Sequence, residues 1–229
     1  MKFRPLLGTD LSGSVGGITA SHNAGGPYFR NRAIPTNPNT PFQQAVRGFM
    51  ATLTSRWNNN LSVPQRAGWD LYALNVPIPD TLGEPRNIGG LAQYVRSNVP
   101  RLQTTLARVD DAPIVFNLGE FTNPTFDTFD AAAETFDVNF TEADEWVGEA
   151  NAGMIVYSGR PKNATVNFFK GPYRFAATLL GSVGSPPTTP ATITAAFVFG
   201  VGNNVFVNMR ISRPDGRLSL PFRGFGLGA

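Results

Sequence analysis

The sequence predicts an α+β protein with an extended N-terminal arm, a small helical segment and a C-terminal antiparallel β-sandwich. Three observations predict this order. Residues 1–39 are rich in glycine and show no hydrophobic period, residues 40–109 carry apolar side chains at helical spacing, and residues 110–229 alternate apolar with polar side chains. We therefore expect divisions after residues 39 and 109. The chain of 229 residues is long enough to bury a substantial core.

The arm, residues 1–39, is predicted to be extended because it has no core of its own. Its apolar side chains are nevertheless too many for a free linker, so we expect it to become ordered on a neighbouring protein. The alternative is a disordered tail. Tyr28, Phe29, Arg30 and Arg32 are the candidate partner-binding residues, since aromatic side chains and arginines anchor many protein interfaces.

A stiff approach leads from the arm into the first helix. Pro35, Pro38 and Pro41 recur at every third residue, and each keeps the preceding residue out of the α conformation. Thr40 is predicted to be the N-cap residue, and Gln43, three residues later, completes a capping box. The arm is therefore expected to meet the helical segment at a fixed angle.

Three helices are predicted within residues 40–109. The first covers residues 40–58, the second begins after an N-cap at Ser62, and the third covers residues 88–98 and ends before Pro100. The short connection between the first two predicts an antiparallel helical hairpin. The side chains predicted to face inward are Val46, Phe49, Met50, Leu53 and Trp57 in the first helix, Ala67, Leu71 and Leu74 in the second, and Leu91, Tyr94 and Val95 in the third. Trp69 and Tyr72 lie beside the stripe of the second helix, and the tryptophans and tyrosines of this region are expected to be core residues and not ligand-binding ones.

Residues 110–229 are predicted to form antiparallel strands. The alternation is clearest in residues 136–140 and 205–212, and a Pro-Asp-Gly turn signal joins the second of these to residues 217–222. Six or seven short strands separated by glycine and proline turns favour a sandwich of immunoglobulin or fibronectin type III kind. The chain has no cysteine, so no disulfide marks this region.

The net charge of +3 divides unevenly along the chain. Residues 1–109 hold 11 basic and 4 acidic residues, whereas residues 110–229 hold 8 and 12. This division favours either an acidic partner for the front half or contacts between copies of the chain. The arm has only four cations in its first 39 residues, so nucleic acid is not expected to be a partner.

No membrane partner is expected. No apolar run in the chain approaches the roughly 18 residues of a membrane span, and residues 1–10 lack the apolar core of a signal peptide. We therefore expect a protein that is soluble when made and is not exported by the general secretory route.

Enzyme chemistry is not expected either. The only histidine, His22, lies in the glycine-rich arm, and no Gly-x-Ser-x-Gly nucleophile motif is present. Metal sites built from histidine and cysteine are excluded by count. The glycine-rich residues 224–228 precede no helix, so they do not form a phosphate loop. We predict no catalytic residue, no metal ligand and no cofactor.

Two groups of acidic residues lie close together in the sequence. Asp127, Asp130, Glu134 and Asp137 are close enough in sequence to form a Ca²⁺ site, although solvated strand and loop positions are the favoured interpretation. Residues 142–149 contain further carboxylates, and nothing in their spacing pairs them as an acid and a base.

Several stretches resemble proteins of tailed phages and prophages. They are GSVGGITAS (residues 13–21), GGPYFRNR (25–32), PTNPNTPFQQ (35–44), SVPQRAGW (62–69), SGRP (158–161) and NFFKGPYR (167–174). The resemblance covers most of the chain and names no activity. It implies a virion or virion-assembly protein with an arm, a helical hairpin and an immunoglobulin-like β-domain, and it does not decide between head and tail.

From this resemblance we expect a non-enzymatic structural protein, made in the host cytoplasm and localised to the virion. The most specific expectation is a capsid decoration or cement protein anchored through its arm and helices. Its partners are then other virion proteins, such as major capsid or tail proteins, and other copies of itself. The alternatives are a tail, neck or fibre-attachment protein, a carbohydrate-binding module that uses Trp146, Tyr157 and Tyr173, and a DNA-binding packaging protein.

Overall fold

The computed structural model describes residues 12–23, 26–34, 36–79, 83–119 and 121–229. The predicted α+β class is confirmed, since this part of the chain contains three α-helices and several antiparallel sheets that do not close into a barrel. Internal contacts divide the chain into two compact units, Met1–Gln44 and Ala45–Ala229. The second unit holds most of the helical region together with the whole β-region. Within the described ranges, no helix is long and apolar enough to cross a membrane.

The N-terminal unit contains a three-stranded antiparallel sheet, whose strands in spatial order are β1 (Gly13–Val15), β2 (Ile18–Asn23) and β3 (Gly26–Asn31). Gly16 and Gly17 connect the first two strands, and Gly16 has a φ of +57°, which glycine adopts without strain. Residues 13–31 are therefore not the single extended segment that the sequence predicts. They fold back on themselves because a Gly-Gly pair permits a two-residue hairpin turn. Residues 1–11 of the predicted arm lie outside the described residues.

Three α-helices follow, α1 (Pro41–Asn59), α2 (Val63–Asn75) and α3 (Gly90–Leu102). Both predicted capping boxes are present. The backbone N–H of Gln43 donates to the Thr40 hydroxyl at 3.4 Å, and the Thr40 N–H donates to the Gln43 side chain at 3.2 Å. Ser62 and Gln65 form the same reciprocal pair at the start of α2. The starts of both helices are thus determined by local sequence.

The buried face of α2 differs in part from the predicted one. Trp69 and Tyr72 are buried as expected, whereas Leu71 and Leu74 are exposed. The aromatic residues take the inner positions because α2 packs against α3, where the Trp69 ring meets the Tyr94 ring edge-on at a centroid distance of 5.5 Å. A similar difference occurs in α1, in which Leu53 is buried as predicted but Met50 is exposed.

Helix α3 does not end before Pro100, as the sequence predicts, but continues to Leu102. A proline in the last turn removes only one backbone donor, so the helix tolerates it there. The buried face of α3 is also more polar than predicted. Tyr94 is buried as expected, together with the polar side chains of Gln93, Ser97, Asn98 and Arg101.

Arg101 joins α3 to the β-region of the same unit. Its guanidinium donates to the backbone oxygens of Ala107, Asn151 and Arg213 and to the Ser212 hydroxyl, at distances between 2.6 and 3.1 Å. The side chain is fully buried, and this burial lowers the pKa of Arg101 to about 10. One buried cation therefore connects the helical layer to the strand that ends at Ser212.

The β-region contains one two-stranded ribbon and two larger antiparallel sheets. Their strands are β4 (Ile78–Pro79), β5 (Pro85–Arg86), β6 (Thr125–Asp130), β7 (Thr135–Asn139), β8 (Gly153–Gly159), β9 (Lys162–Asn163), β10 (Tyr173–Leu180), β11 (Ala191–Thr194), β12 (Asn203–Ser212) and β13 (Phe222–Leu227). The ribbon pairs β4 with β5. A five-stranded sheet has the order β10-β8-β12-β13, with β9 beside β12, and a three-stranded sheet has the order β11-β7-β6.

Both larger sheets fill one apolar core. Phe136 of the three-stranded sheet and Met154 and Val207 of the five-stranded sheet belong to the same buried cluster. Trp146, on a short 3-10 helix (Glu145–Gly148), is part of this cluster too. Two antiparallel sheets around one core are consistent with a sandwich. The more specific immunoglobulin or fibronectin type III topology stays a prediction.

The C-terminal glycines contribute to this core. Gly224 and Gly226 on β13 lie against the rings of Phe126 and Phe129 on β6, and a β-carbon at either glycine would overlap those rings. The backbone N–H of Ala229 donates to the oxygen of Phe129 at 2.8 Å. The glycine-rich C-terminal segment is therefore a strand, and its missing side chains leave room for two phenylalanine rings.

Candidate functional site

The four predicted partner-binding residues lie at one edge of the N-terminal sheet. Tyr28, Phe29 and Arg30 belong to β3, and Arg32 follows just after the end of this strand. Successive side chains of a strand point to opposite faces, so Tyr28 and Arg30 share one face and Phe29 lies on the other. The same alternation places Arg32 with Arg30. The sheet thus brings three of the four residues together and separates Phe29 from them.

One face of this sheet is polar and basic. Arg30 lies opposite Thr19 of β2, which lies opposite Ser14 of β1, and the two hydroxyl oxygens are 2.7 Å apart. The N–H of Arg32 donates to the oxygen of Gly17 at 2.8 Å, which extends the pairing beyond β3. Among the described residues, no carboxylate lies within ion-pair distance of Arg30 or Arg32. The members of this cationic face are Ser14, Thr19, Ser21, Tyr28, Arg30 and Arg32.

The opposite face is mainly apolar, and its polar members are Asn31, which lies opposite Ile18, and His22, which lies opposite Pro27. Val15 pairs with Ile18 across the hairpin, and Ala20 pairs with Phe29. Val15 is 86% exposed and Ile18 is 52% exposed, whereas Phe29 is half-buried. We call these four residues the apolar face. Large apolar side chains grouped on one side of so small a sheet are typical of a surface that is buried against another protein.

The apolar face is not among the features predicted from the sequence, although two signals for it are present. Ile18 and Ala20 alternate with Thr19 and Ser21, which is the period of a strand. The preceding Gly-Gly pair is a known hairpin turn signal. Both signals are short, and the glycines around them obscure the period.

Three of the four acidic residues considered for Ca²⁺ accept hydrogen bonds within the fold, namely Asp127, Asp130 and Asp137. Asp127 and Asp137 lie opposite each other on β6 and β7, and Asp137 accepts a hydrogen bond from the Thr192 hydroxyl at 2.6 Å. Asp130 accepts a hydrogen bond from the backbone N–H of Ala132 at 2.8 Å in the following turn. No group of three potential metal ligands is found in the part of the chain that the structure describes.

The acidic residues around the 3-10 helix hold a buried arginine. Glu145 and Glu149 each accept a hydrogen bond from the Arg213 guanidinium at 2.6 Å, and the oxygen of Leu118 accepts another at 2.7 Å. Burial acts to lower the pKa of Arg213, but the hydrogen bonds to Glu149 and Glu145 raise it above its usual value. These carboxylates form a charge cluster that fixes the end of β12.

The aromatic residues considered for sugar binding do not form an exposed row. Trp146 is buried in the core. Tyr157 and Tyr173 are half-buried, and their hydroxyls donate to the Gln103 side chain at 2.9 Å and to the Phe169 oxygen at 3.1 Å. These three residues therefore lack the exposed row of aromatic rings that would support the carbohydrate-binding alternative, because Trp146 belongs to the core.

The two-faced sheet β1–β3 is thus the surface to which the predicted binding residues belong. It offers apolar area on one side and two arginines with a tyrosine on the other, which suits binding to a protein surface. No protein-family model, no curated protein and no solved structure matches the chain.

Proposed function

We propose that the protein is a non-enzymatic structural component of a bacteriophage particle, and most specifically a capsid decoration or cement protein that attaches through its N-terminal unit. The observation that carries this proposal is the combination of an apolar face and a cationic face on one small sheet. The resemblance of residues 13–21, 25–32 and 35–44 to tailed-phage proteins supports it, since all three stretches fall within this unit.

The proposed attachment follows from the stability of small sheets. A sheet of so few strands needs a covered apolar face to be stable in water. Burying Val15 and Ile18 against a shell protein stabilises both the sheet and the complex, at roughly 25 cal/mol per Å² of apolar surface removed from water. On the other face, Arg30 and Arg32 are placed to pair with carboxylates and Tyr28 to fill a pocket. The proposed partner is the major capsid protein, with other copies of the chain as neighbours.

We also propose that β6–β13 form a sandwich of the immunoglobulin or fibronectin type III kind, which faces outward from the particle. The strand order supports this. Taken along the chain, β6, β7 and β11 correspond to strands A, B and E, and β8, β10, β12 and β13 correspond to strands C, C′, F and G. An experimental structure that traces these strands in a different order would overturn this part of the proposal.

Incorporation into particles tests the proposed function. The full-length chain and a variant that lacks residues 1–34 are supplied to a phage whose own copy has been deleted, and purified particles are probed for the chain. We expect the shortened chain to keep the melting transition of unit Ala45–Ala229. Its amount on particles should fall at least about tenfold, because the buried contact area is lost.

Paired point variants show which face is used. Val15→Ser with Ile18→Ser tests the apolar face, and Arg30→Glu with Arg32→Glu tests the cationic face. Leu180→Ser is the control, since this exposed leucine lies on β10 in the other unit. Normal incorporation of the shortened chain would contradict attachment through the N-terminal unit. Recovery of the full-length chain with separated tails instead of heads would favour the tail, neck or fibre-attachment alternative.

A further inference from the structure

A basic cleft lies in the second unit, between the β4–β5 ribbon and the five-stranded sheet. Its volume is about 930 Å³, and it is open to solvent. Three cations line it: Arg86 on β5, Lys170 in the connection from β9 to β10, and Arg223 on β13. The described lining residues include no acidic side chain. The cleft therefore attracts anions.

The cations of this cleft have no carboxylate partner in the part of the chain that the structure describes. Among the described residues, none of Arg86, Lys170 and Arg223 forms an ion pair. For Lys170 and Arg223 the local sequence explains this lack, because Asp215 is the only acidic residue after Glu149. The acidic character of the C-terminal half is thus confined mainly to residues 110–149, and the strands around the cleft are basic.

Further arginines add to the positive potential. Arg223 lies opposite Asn208 on β12, and Asn208 is two residues before Arg210 on the same strand. Burial lowers the pKa of Arg210, and the charge of Arg223 lowers it further. Burial lowers the pKa of Arg96, and the charge of Arg210 lowers it further, to about 10. Three arginines thus repel one another through the fold, and an anion bound at Arg223 would relieve part of this repulsion.

The cleft also has an aromatic wall. Phe168 is 73% exposed and lines the cleft close in sequence to Lys170. Ile78 and Ile88 supply half-buried apolar surface on the side of the ribbon. An exposed aromatic ring between cations is the combination on which single-stranded nucleic acids bind, since any base can stack on the ring while phosphates meet the cations.

We propose that this cleft binds single-stranded nucleic acid, with a base stacked on Phe168 and backbone phosphates held by Arg86, Lys170 and Arg223. The nearest rival is an acidic protein segment, which would use the same cations. The exposed ring favours nucleic acid, because an acidic side chain has no aromatic face to stack on it. Nucleic acid is not the partner expected from the sequence, because the cations of the arm are sparse and the cleft forms only in the folded chain.

Binding by the isolated full-length chain tests the proposal. The probe is a fluorescein-labelled oligothymidylate of about 12 nucleotides, within the usual site sizes of single-strand binding folds. Fluorescence anisotropy is recorded between about 50 and 200 mM salt. We expect the logarithm of the binding constant to fall with the logarithm of salt with a slope of about −2, as three phosphate contacts predict.

Variants separate the charge contacts from stacking. Arg86→Gln, Lys170→Gln and Arg223→Gln should each weaken binding and make the salt slope shallower by about 0.7. Phe168→Ala should weaken binding about fivefold or more while the slope stays unchanged. Arg66→Gln on α2 is the control, since Arg66 does not line the cleft. Each variant is used only after its melting temperature is shown to match that of the wild-type chain.

Two results would overturn the proposal. One is unchanged binding by the triple variant that lacks all three cations. The other is competition by polyglutamate as strong as that by unlabelled oligothymidylate, together with no effect of Phe168→Ala, which would assign the cleft to an acidic protein segment. Both results concern the isolated chain, so they are independent of whether the N-terminal unit attaches the protein to particles.

Discussion

The Tyr94 hydroxyl donates a hydrogen bond of 2.9 Å to a carboxylate oxygen of Asp110. The same carboxylate accepts hydrogen bonds from Arg56 on α1 and from Arg108, at 2.7 and 2.9 Å. Burial acts to raise the pKa of Asp110, but the donors outweigh burial and hold the pKa at about 2. One carboxylate therefore ties α1 and α3 to the segment that follows α3.

This carboxylate predicts a loss of stability in acid. A folded pKa of about 2 lies below the unfolded value of about 3.9, so the ionised group stabilises the fold above about pH 4. That contribution is lost as the pH falls through the folded pKa. We expect Asp110→Asn to lower the free energy of unfolding at neutral pH, and its difference from wild type to shrink between about pH 5 and pH 2. Urea denaturation at each pH measures the difference, and a constant difference would contradict the prediction.

The two faces of α2 give a second prediction. Trp69→Ala should lower the free energy of unfolding by about 3–5 kcal/mol, because the indole is buried against Tyr94 and its N–H donates to the backbone oxygen of Asp110 at 2.8 Å. Leu71→Ala should change it by less than about 0.5 kcal/mol, because Leu71 is exposed. Chemical denaturation of both variants checks this. Equal losses would mean that the Leu71 side of α2 is buried as well.

The packing of phenylalanine rings of β6 against β13 gives a third prediction. Gly226→Ala should lower the free energy of unfolding by about 1–3 kcal/mol, because the added methyl group overlaps the Phe129 ring. Gly148→Ala is the matched control, since a β-carbon there meets nothing within 4 Å. Thermal melting compares the two variants. If Gly226→Ala has the same melting temperature as the control, the close contact between β13 and β6 is absent.

The sequence predicts those parts of the fold that depend on neighbours along the chain. The capping boxes of Thr40 and Ser62 are correct because each involves a partner only three residues away. In α2 the burial of Trp69 and Tyr72 is correct, but the predicted burial of Leu71 and Leu74 is wrong, because the packing of α3 decides which side of α2 is covered. The predicted end of α3 before Pro100 is wrong because hydrogen-bond acceptors far along the chain hold the next residue, Arg101, in place.

The same limit applies to the candidate site. The sequence identifies Tyr28, Arg30 and Arg32 as binding residues by type, but the strand pairing that places Phe29 on the opposite face depends on β2. It also counts the C-terminal half as acidic. The basic cleft becomes visible only when the ribbon, the connection to β10 and β13 are brought together.

Arg101 has a consequence for the synthesis of the chain on the ribosome. Two of its acceptors, Ser212 and Arg213, lie 111 and 112 residues later in the sequence. At about 5–20 residues per second, α3 is translated roughly 5–20 s before those acceptors are added. Until then the guanidinium stays hydrated and the helices cannot take their final place on the sheet. A message truncated before β12 would therefore yield a polypeptide whose helical segment has nothing on which to dock.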